Sequence, residues 1–266
     1  MKAEAPAEEP LSIEGTGVAL AGVLRRYRAR RGEDVVALEG LDLEVRSGEV
    51  LGVVGPSGCG KSTLLELIAG LQDPDAGAVA VGDALDRDRR RDACALMPQR
   101  DLLLPWRDAL ANAALALEAQ GMRGREARAR AAPYFERFGL REFEGARPAA
   151  LSGGMRQRVA FIRTLLAGRP LLLLDEPFAA LDAITRAEMQ QWLAEALAAE
   201  PRTVVLVTHD VEEALFLADR VAVLSPRPGR VVAELEVPLP RPRDRRAAVT
   251  DPDLAHLRAR ALDALS

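Results

Sequence analysis

Short apolar runs, each bounded by glycine, proline or charge, punctuate this chain and predict alternating strands and helices. Residues 50–54 are continuously apolar, as expected of a strand buried on both faces. A glycine-rich stretch follows, then a helical run over 63–69 that stops at Gly70. Upstream, residues 18–24 and 41–45 predict strands separated by a charged loop, 25–34. Downstream, residues 72–77 form a turn, and 78–81 and 93–97 predict short strands, the second ended by Pro98 and Gln99. Residues 171–174, 203–208 and 221–224 complete the set of buried strands. After the turn 226–229, residues 231–237 alternate apolar with polar.

Between residues 100 and 150 the texture changes to Ala, Leu, Arg and Glu at helical spacing. Helices over 110–119 and 125–138 are predicted, forming a separate lobe whose arginines face solvent. Ser152 suits the N-cap of a helix that runs to Ala167 and closes at Gly168 and Pro170. Asp210 and Glu213 predict a capping box for the helix after strand 203–208. Residues 1–16 read as a disordered tail. Residues 238–266 read as a Pro/Arg linker and a helix begun by Asp251 and Pro252. The charges over 241–246 are read as solvated, with acidic lipid or a partner as the other reading.

A chain of 266 residues supports a sizeable core, as one large or two small domains. The net charge of −4 does not suggest a general nucleic-acid surface. Two cysteines, Cys59 and Cys94, offer no disulfide framework, which favours a reducing cytoplasm. Met1 to Glu9 is acidic and Pro/Ala-rich, unlike a signal peptide. No apolar run approaches the ~20 residues of a membrane span, so at a membrane another chain must supply the spanning part.

Within this frame the candidate chemistry gathers at strand ends. Gly55, Pro56, Ser57, Gly58, Cys59, Gly60, Lys61, Ser62 and Thr63 contain the pattern G-x-x-x-x-G-K-S between a strand and a helix. Glycines let successive N–H groups point into one concavity, and a helix N-terminus adds roughly +0.5 charge, so the loop suits phosphate. Lys61 is one of two lysines, beside Lys2, in an arginine-rich chain, and the two residue types are not interchangeable at a phosphate cradle. Asp175 and Glu176 end an apolar run, and His209 ends another, where ligands bind in open α/β sheets. Gly153 and Gly154 follow the Ser152 cap, at ~1 kcal/mol each relative to Ala, so something approaches that backbone closely, and at a helix N-terminus an anion fits. Tyr27 is read either as a packing residue or as an aromatic face for a nucleotide base.

Taken in order, these residues resemble the ATP-binding cassette ATPases, from Val18 to Val237. Tyr27 matches the base-stacking aromatic, Gly55 to Thr63 the Walker A loop, and Gln99 the Q-loop glutamine. Leu151, Ser152, Gly153 and Gly154 match the signature, and Leu171 to Asp175 the Walker B strand with Glu176 after it. Ala180, Leu181 and Asp182 match the D-loop, and His209 the switch histidine. Met155 departs from the usual Gln after the signature and is not read as inactivating.

The resemblance implies an α/β fold: a P-loop NTPase (RecA-like) core with a small antiparallel β subdomain and an inserted α-helical subdomain. The core is expected over 17–99 and 157–237, the helical subdomain over 100–156 and a C-terminal extension over 238–266. It implies ATP and Mg²⁺, with Ser62, Gln99 and Asp175 at the metal. Glu176 would be general base, Lys61 and His209 would hold the γ-phosphate, and Ser152, Gly153 and Gly154 would serve the nucleotide of a second copy in a head-to-tail dimer.

Gln99 to Trp106 with Arg107, and residues 217–229, resemble the nitrate/sulfonate/taurine-type import ATPases, whose relatives also serve pyrimidine-type precursors. That subgroup implies integral membrane permease subunits as partners, and through them an external solute-binding protein. It further implies a peripheral place on the cytoplasmic face of the inner membrane and no nucleic-acid partner. Trp106 and Leu103 are the candidates for the groove that docks the permease. The competing readings are a soluble cassette acting on ribosome, DNA or cofactor assembly, and the cassette of an exporter.

Overall fold

The computed structural model describes residues 16–28 and 33–265. Apart from Thr16, the tail expected over 1–16 lies outside the described residues, as does the middle of the 25–34 loop. The strands are β1 (Val18–Tyr27), β2 (Val35–Val45), β3 (Val50–Val54), β4 (Ala76–Val81), β5 (Cys94–Met97), β6 (Leu171–Asp175), β7 (Thr203–Thr208), β8 (Arg220–Leu224) and β9 (Val231–Glu236). The helices are α1 (Lys61–Ile68), α2 (Arg87–Ala93), α3 (Ala109–Ala119), α4 (Gly124–Arg137), α5 (Gly153–Leu166), α6 (Ala183–Ala199), α7 (Val211–Leu217), α8 (Arg245–Thr250) and α9 (Pro252–Ala264).

One sheet has the order β5-β6-β7-β3-β8-β9, parallel except for the antiparallel edge strand β9. A second, antiparallel sheet has the order β2-β1-β4. The period of two along each strand explains why the central runs are apolar throughout. Val50, Val54, Leu172, Leu174, Val204 and Leu206 enter one core, with side chains of α3 to α7 and α9. Leu51, Val53, Leu171, Leu173, Val205 and Val207 enter the other, with α1 and the small sheet. Each wholly buried leucine contributes about 1.5–3 kcal/mol. Around α4 to α6, the ring of Trp192 meets Phe138 and Phe161 edge-on, with centroids 5.1 and 5.2 Å apart.

Several sequence expectations are corrected. The 25–34 loop is shorter than predicted: β1 continues through Tyr27, which pairs with Val35 of β2. Helix α2 is not foreshadowed, because its sequence, RDRRRDA, has no apolar period. It is set instead by Asp86, whose side chain accepts the Arg89 N–H at 2.9 Å. The reciprocal capping box at α7 does not form. Asp210 accepts from the Glu212 and Glu213 N–H groups, but its own N–H donates to Thr208 Oγ1 at 3.0 Å, and the Glu213 carboxylate turns inward to Gln190.

A further correction concerns residues 241–246, which are not simply solvated. Arg243 is buried and donates to the carbonyl oxygens of Leu215, Phe216, Ala218 and Leu239 at 2.6–3.1 Å. Arg241 pairs with Asp219 at 2.7 Å, and the Arg245 guanidinium donates to the Gln190 side-chain oxygen. In the helical stretch too, some arginines are paired rather than merely solvated: Arg107 with Glu118 at 2.6 Å and Arg128 with Asp108 at 2.9 Å.

Candidate functional site

The loop between β3 and α1 is shaped by backbone no other residue type fits. Gly58 and Gly60 have φ of 78° and 110°. A Cβ on Gly60 would stand 2.6 Å from Leu38 Cδ2, and one on Gly55 would stand 2.7 Å from Cys59 Sγ. Cys59 is buried beneath the loop, and burial pushes its thiol pKa up, so it is a packing residue there. Pro56 and Ser57 are exposed at the loop's crest. Lys61 is buried, its ammonium donating to the carbonyls of Gly55 at 2.8 Å and Pro56 at 3.1 Å.

The tip of β6 brings two acids to this loop, and the tip of β7 brings His209. Ser62 Oγ lies 3.3 Å from Asp175 Oδ1. Burial raises the Asp175 pKa, with the Ser62 hydrogen bond opposing it and the Glu176 charge adding to it. Glu176 adopts φ +43°, a left-handed conformation that costs about 1–3 kcal/mol in a non-glycine residue. Its N–H donates to Val207 O at 2.8 Å, which fixes the residue to β7. On Glu176 Oε2 converge the Gln99 amide at 3.3 Å and His209 Nδ1 at 3.1 Å, while Lys61 Nζ is 4.0 Å from Oε1.

A cleft above the loop is lined by Tyr27, Val35, Ala37, Ser57, Gly58, Gly60, Lys61, Ser62, Thr63, Gln99, Glu176 and Arg227. Tyr27 is held there by its hydroxyl, 3.2 Å from Thr63 Oγ1 and 3.1 Å from Gln72 Nε2. Its ring is flanked by Arg25, whose guanidinium carbon is 5.1 Å from the centroid. Two of these participants were not singled out from the sequence. The sequence places Gln72 in the 72–77 turn and Arg227 in the 226–229 turn, and only the second of these, through Gly229, packs on the loop.

Ser152, Gly153 and Gly154 do not line this cleft. Gly153 lines a neighbouring cleft with Gln99, Arg156, Gln157 and Leu181, so Gln99 borders both. Ser152 is exposed and caps α5, its Oγ accepting the Met155 N–H at 3.2 Å. Within this chain the glycines have a packing reason as well: a Cβ on Gly153 would be 3.1 Å from Leu181 Cδ2, and one on Gly154 would be 3.0 Å from Thr185 Cγ2. Leu103, a sequence candidate for the permease groove, is buried, whereas Trp106 is 69% and Leu102 54% exposed.

A family model described as ABC transporter matches residues 38–179. The chain is 42% identical over 264 residues to the aliphatic sulfonates import ATP-binding protein SsuB 1 of Mesorhizobium japonicum, spanning 99% of this chain and 94% of that protein. It is 44% identical over 233 residues to the nitrate import ATP-binding protein NrtD of Synechococcus elongatus, spanning 86% and 85%. The dimeric post-hydrolysis structure of the ATP-binding cassette MJ0796 bound to ADP and Pi is similar with a TM-score of 0.72 at 33% identity, covering 83% of this chain and 98% of that one. On a model match over more than half its length and relatives of this identity across most of it, the chain belongs to the ABC transporter family.

Proposed function

We propose that this chain is the ATP-hydrolysing subunit of an importer, energising uptake of a small solute of the nitrate, sulfonate, taurine or pyrimidine-precursor kind. The observation that carries the reading is the convergence of Lys61, Gln99 and His209 on Glu176 at the mouth of a glycine loop. The loop N–H groups and Lys61 bind the polyphosphate, and the Tyr27 face receives the base. Glu176 accepts the proton of the attacking water as general base, and His209 and Gln99 hold its carboxylate in position.

Ser62 and Asp175 present hard oxygens 3.3 Å apart, and a buried carboxylate of raised pKa gains from a cation, so the residues fit Mg²⁺. Among the described residues no group of three or more His, Cys, Asp or Glu could hold a metal alone, which suits an ion shared with phosphate. Ser62, Asp175 and Gln99 would hold it, and when bound it neutralises charge on the transferring phosphoryl group.

The exposed Ser152, set off from the chain's own cleft, supports a head-to-tail homodimer in which Ser152, Gly153 and Gly154 of each copy face the other's nucleotide. Trp106 and Leu102 supply an apolar, exposed surface for a permease, through which an external solute-binding protein is served. That loop is tied to the helix of the signature: Arg163 of α5 donates to Asp101 O at 2.6 Å and Leu102 O at 3.0 Å, and Arg156 pairs with Asp101 at 3.0 Å. Among the described residues no helix is long and apolar enough to cross a membrane, in keeping with a peripheral place on the cytoplasmic face. Co-purification from detergent-solubilised membranes, with phosphate release assayed on the product, tests the reading. A permease partner and ATP turnover are expected, and recovery with ribosomes or DNA instead would overturn it.

A further inference from the structure

The β8–β9 connection folds directly onto the phosphate loop. A Cβ on Gly229 would stand 2.1 Å from the Cys59 carbonyl oxygen and 3.1 Å from Leu38 Cδ2, so no larger residue allows this approach. The Gly229 N–H donates to Ala37 O at 2.9 Å, and the Glu39 N–H to Gly229 O at 3.3 Å, which fastens the connection to β2. Ser225 Oγ closes the turn, donating toward the Pro226 and Pro228 carbonyls and accepting the Arg230 N–H at 3.1 Å.

This anchoring delivers Arg227 to the rim of the cleft. Its Nε donates to Gly58 O at 3.1 Å, and Nη2 stands 3.0 Å from where a Gly58 Cβ would be. Arg230, three residues on, is paired with Glu39. Arg227, by contrast, has no carboxylate within 4.0 Å among the described residues. A guanidinium carries five N–H donors, and a loop carbonyl takes one. Among the described residues, the cations lining the cleft are the buried Lys61 and the exposed Arg227.

We infer that Arg227 is a nucleotide-binding residue, its remaining N–H groups donating to the polyphosphate of ATP or ADP from the exposed rim of the cleft. This rests on the ATP reading above. A planar guanidinium suits phosphate oxygens, and charge-assisted hydrogen bonds of this kind are the strong ones. The loop from β8 to β9 thus belongs to the site, although nothing in its local sequence pattern is phosphate-like.

The test is equilibrium binding of a fluorescent ATP analogue, with ATP, ADP and adenosine as competitors, to wild type, Arg227→Gln, Arg227→Lys and Lys61→Ala. Thermal melts on the same samples establish that each variant is folded. About tenfold weaker ATP and ADP binding is expected for Arg227→Gln, with adenosine unaffected and Arg227→Lys intermediate. ATP affinity within twofold of wild type in Arg227→Gln, with binding lost in Lys61→Ala, would overturn the inference while leaving the ATP reading standing. Unchanged affinity with lost ATP-dependent dimerisation would overturn it too, assigning Arg227 to the second copy. Failure of wild type to bind would remove both.

Discussion

Lys61 Nζ stands 4.0 Å from Glu176 Oε1 while donating to the Gly55 and Pro56 carbonyl oxygens. An ammonium has three donors, so two fix the loop's entry and the third is available to a ligand in the cleft. Lys61→Ala removes the charge and leaves two loop carbonyls without their donor. Nucleotide affinity is expected to fall by about a hundredfold or more with the fold retained. Calorimetric titration with ATP checks it, and undiminished affinity would contradict the loop assignment.

Glu176 is the point where Lys61, Gln99 and His209 meet. Glu176→Gln preserves shape and hydrogen bonding to Gln99 and His209 but cannot accept a proton at pH 7. Phosphate release is expected to fall by about 10²–10⁴ while ATP binding persists. Blocked turnover would then trap an ATP-dependent dimer, visible as a doubled mass in light scattering. Normal turnover by this variant would remove Glu176 from the base role.

The strands around the site were legible because each is short, apolar and bounded by glycine, proline or charge. Residues 171–174 show this well, since both faces of β6 are covered and all four leucines are needed. The glycine turn between β3 and α1 was legible because its spacing is dictated by one local backbone shape, with positive φ at Gly58 and Gly60. Apart from α2, whose Asp86 cap is local, the misreadings were decided by contacts distant in sequence. Arg243 looks like any arginine beside proline, yet its acceptors lie up to 28 residues back. Glu213 fits a local capping pattern, but Gln190 of α6 draws its side chain away. Arg227 reaches Gly58 across 169 positions, and no window of sequence contains both.

Arg243 closes the C-terminal end of α7, the helix that starts two residues after His209. It takes three α7-end carbonyls and that of Leu239, although burial lowers its pKa to about 10, which leaves it charged at neutral pH. Arg243→Met keeps the apolar stem and strips those carbonyls of their donor. A loss of about 3 kcal/mol is expected in urea-induced unfolding. A midpoint unchanged from wild type would show that solvent replaces the guanidinium freely and that residues 241–246 are a linker after all.

Glu213 makes stability depend on pH. Burial is the main cause that raises its pKa from 4.5 to about 7; the Asp210 charge adds to it, and the Gln190 hydrogen bond and Arg186 oppose. The folded chain therefore keeps this proton where the unfolded chain has lost it. Between those two values the native state binds more protons, so the contribution is full below about pH 4.5 and is lost as pH rises through about 7. The gap corresponds to about 3 kcal/mol. Glu213→Gln is neutral at every pH and can still bond Gln190. Urea unfolding at pH 5 and pH 8 should show the variant gaining about 2.5 kcal/mol on wild type between the two conditions, since part of the effect is already lost at pH 5. Parallel profiles would mean that the buried carboxyl is ionised at pH 5 and that its charge is compensated within α6 and α7.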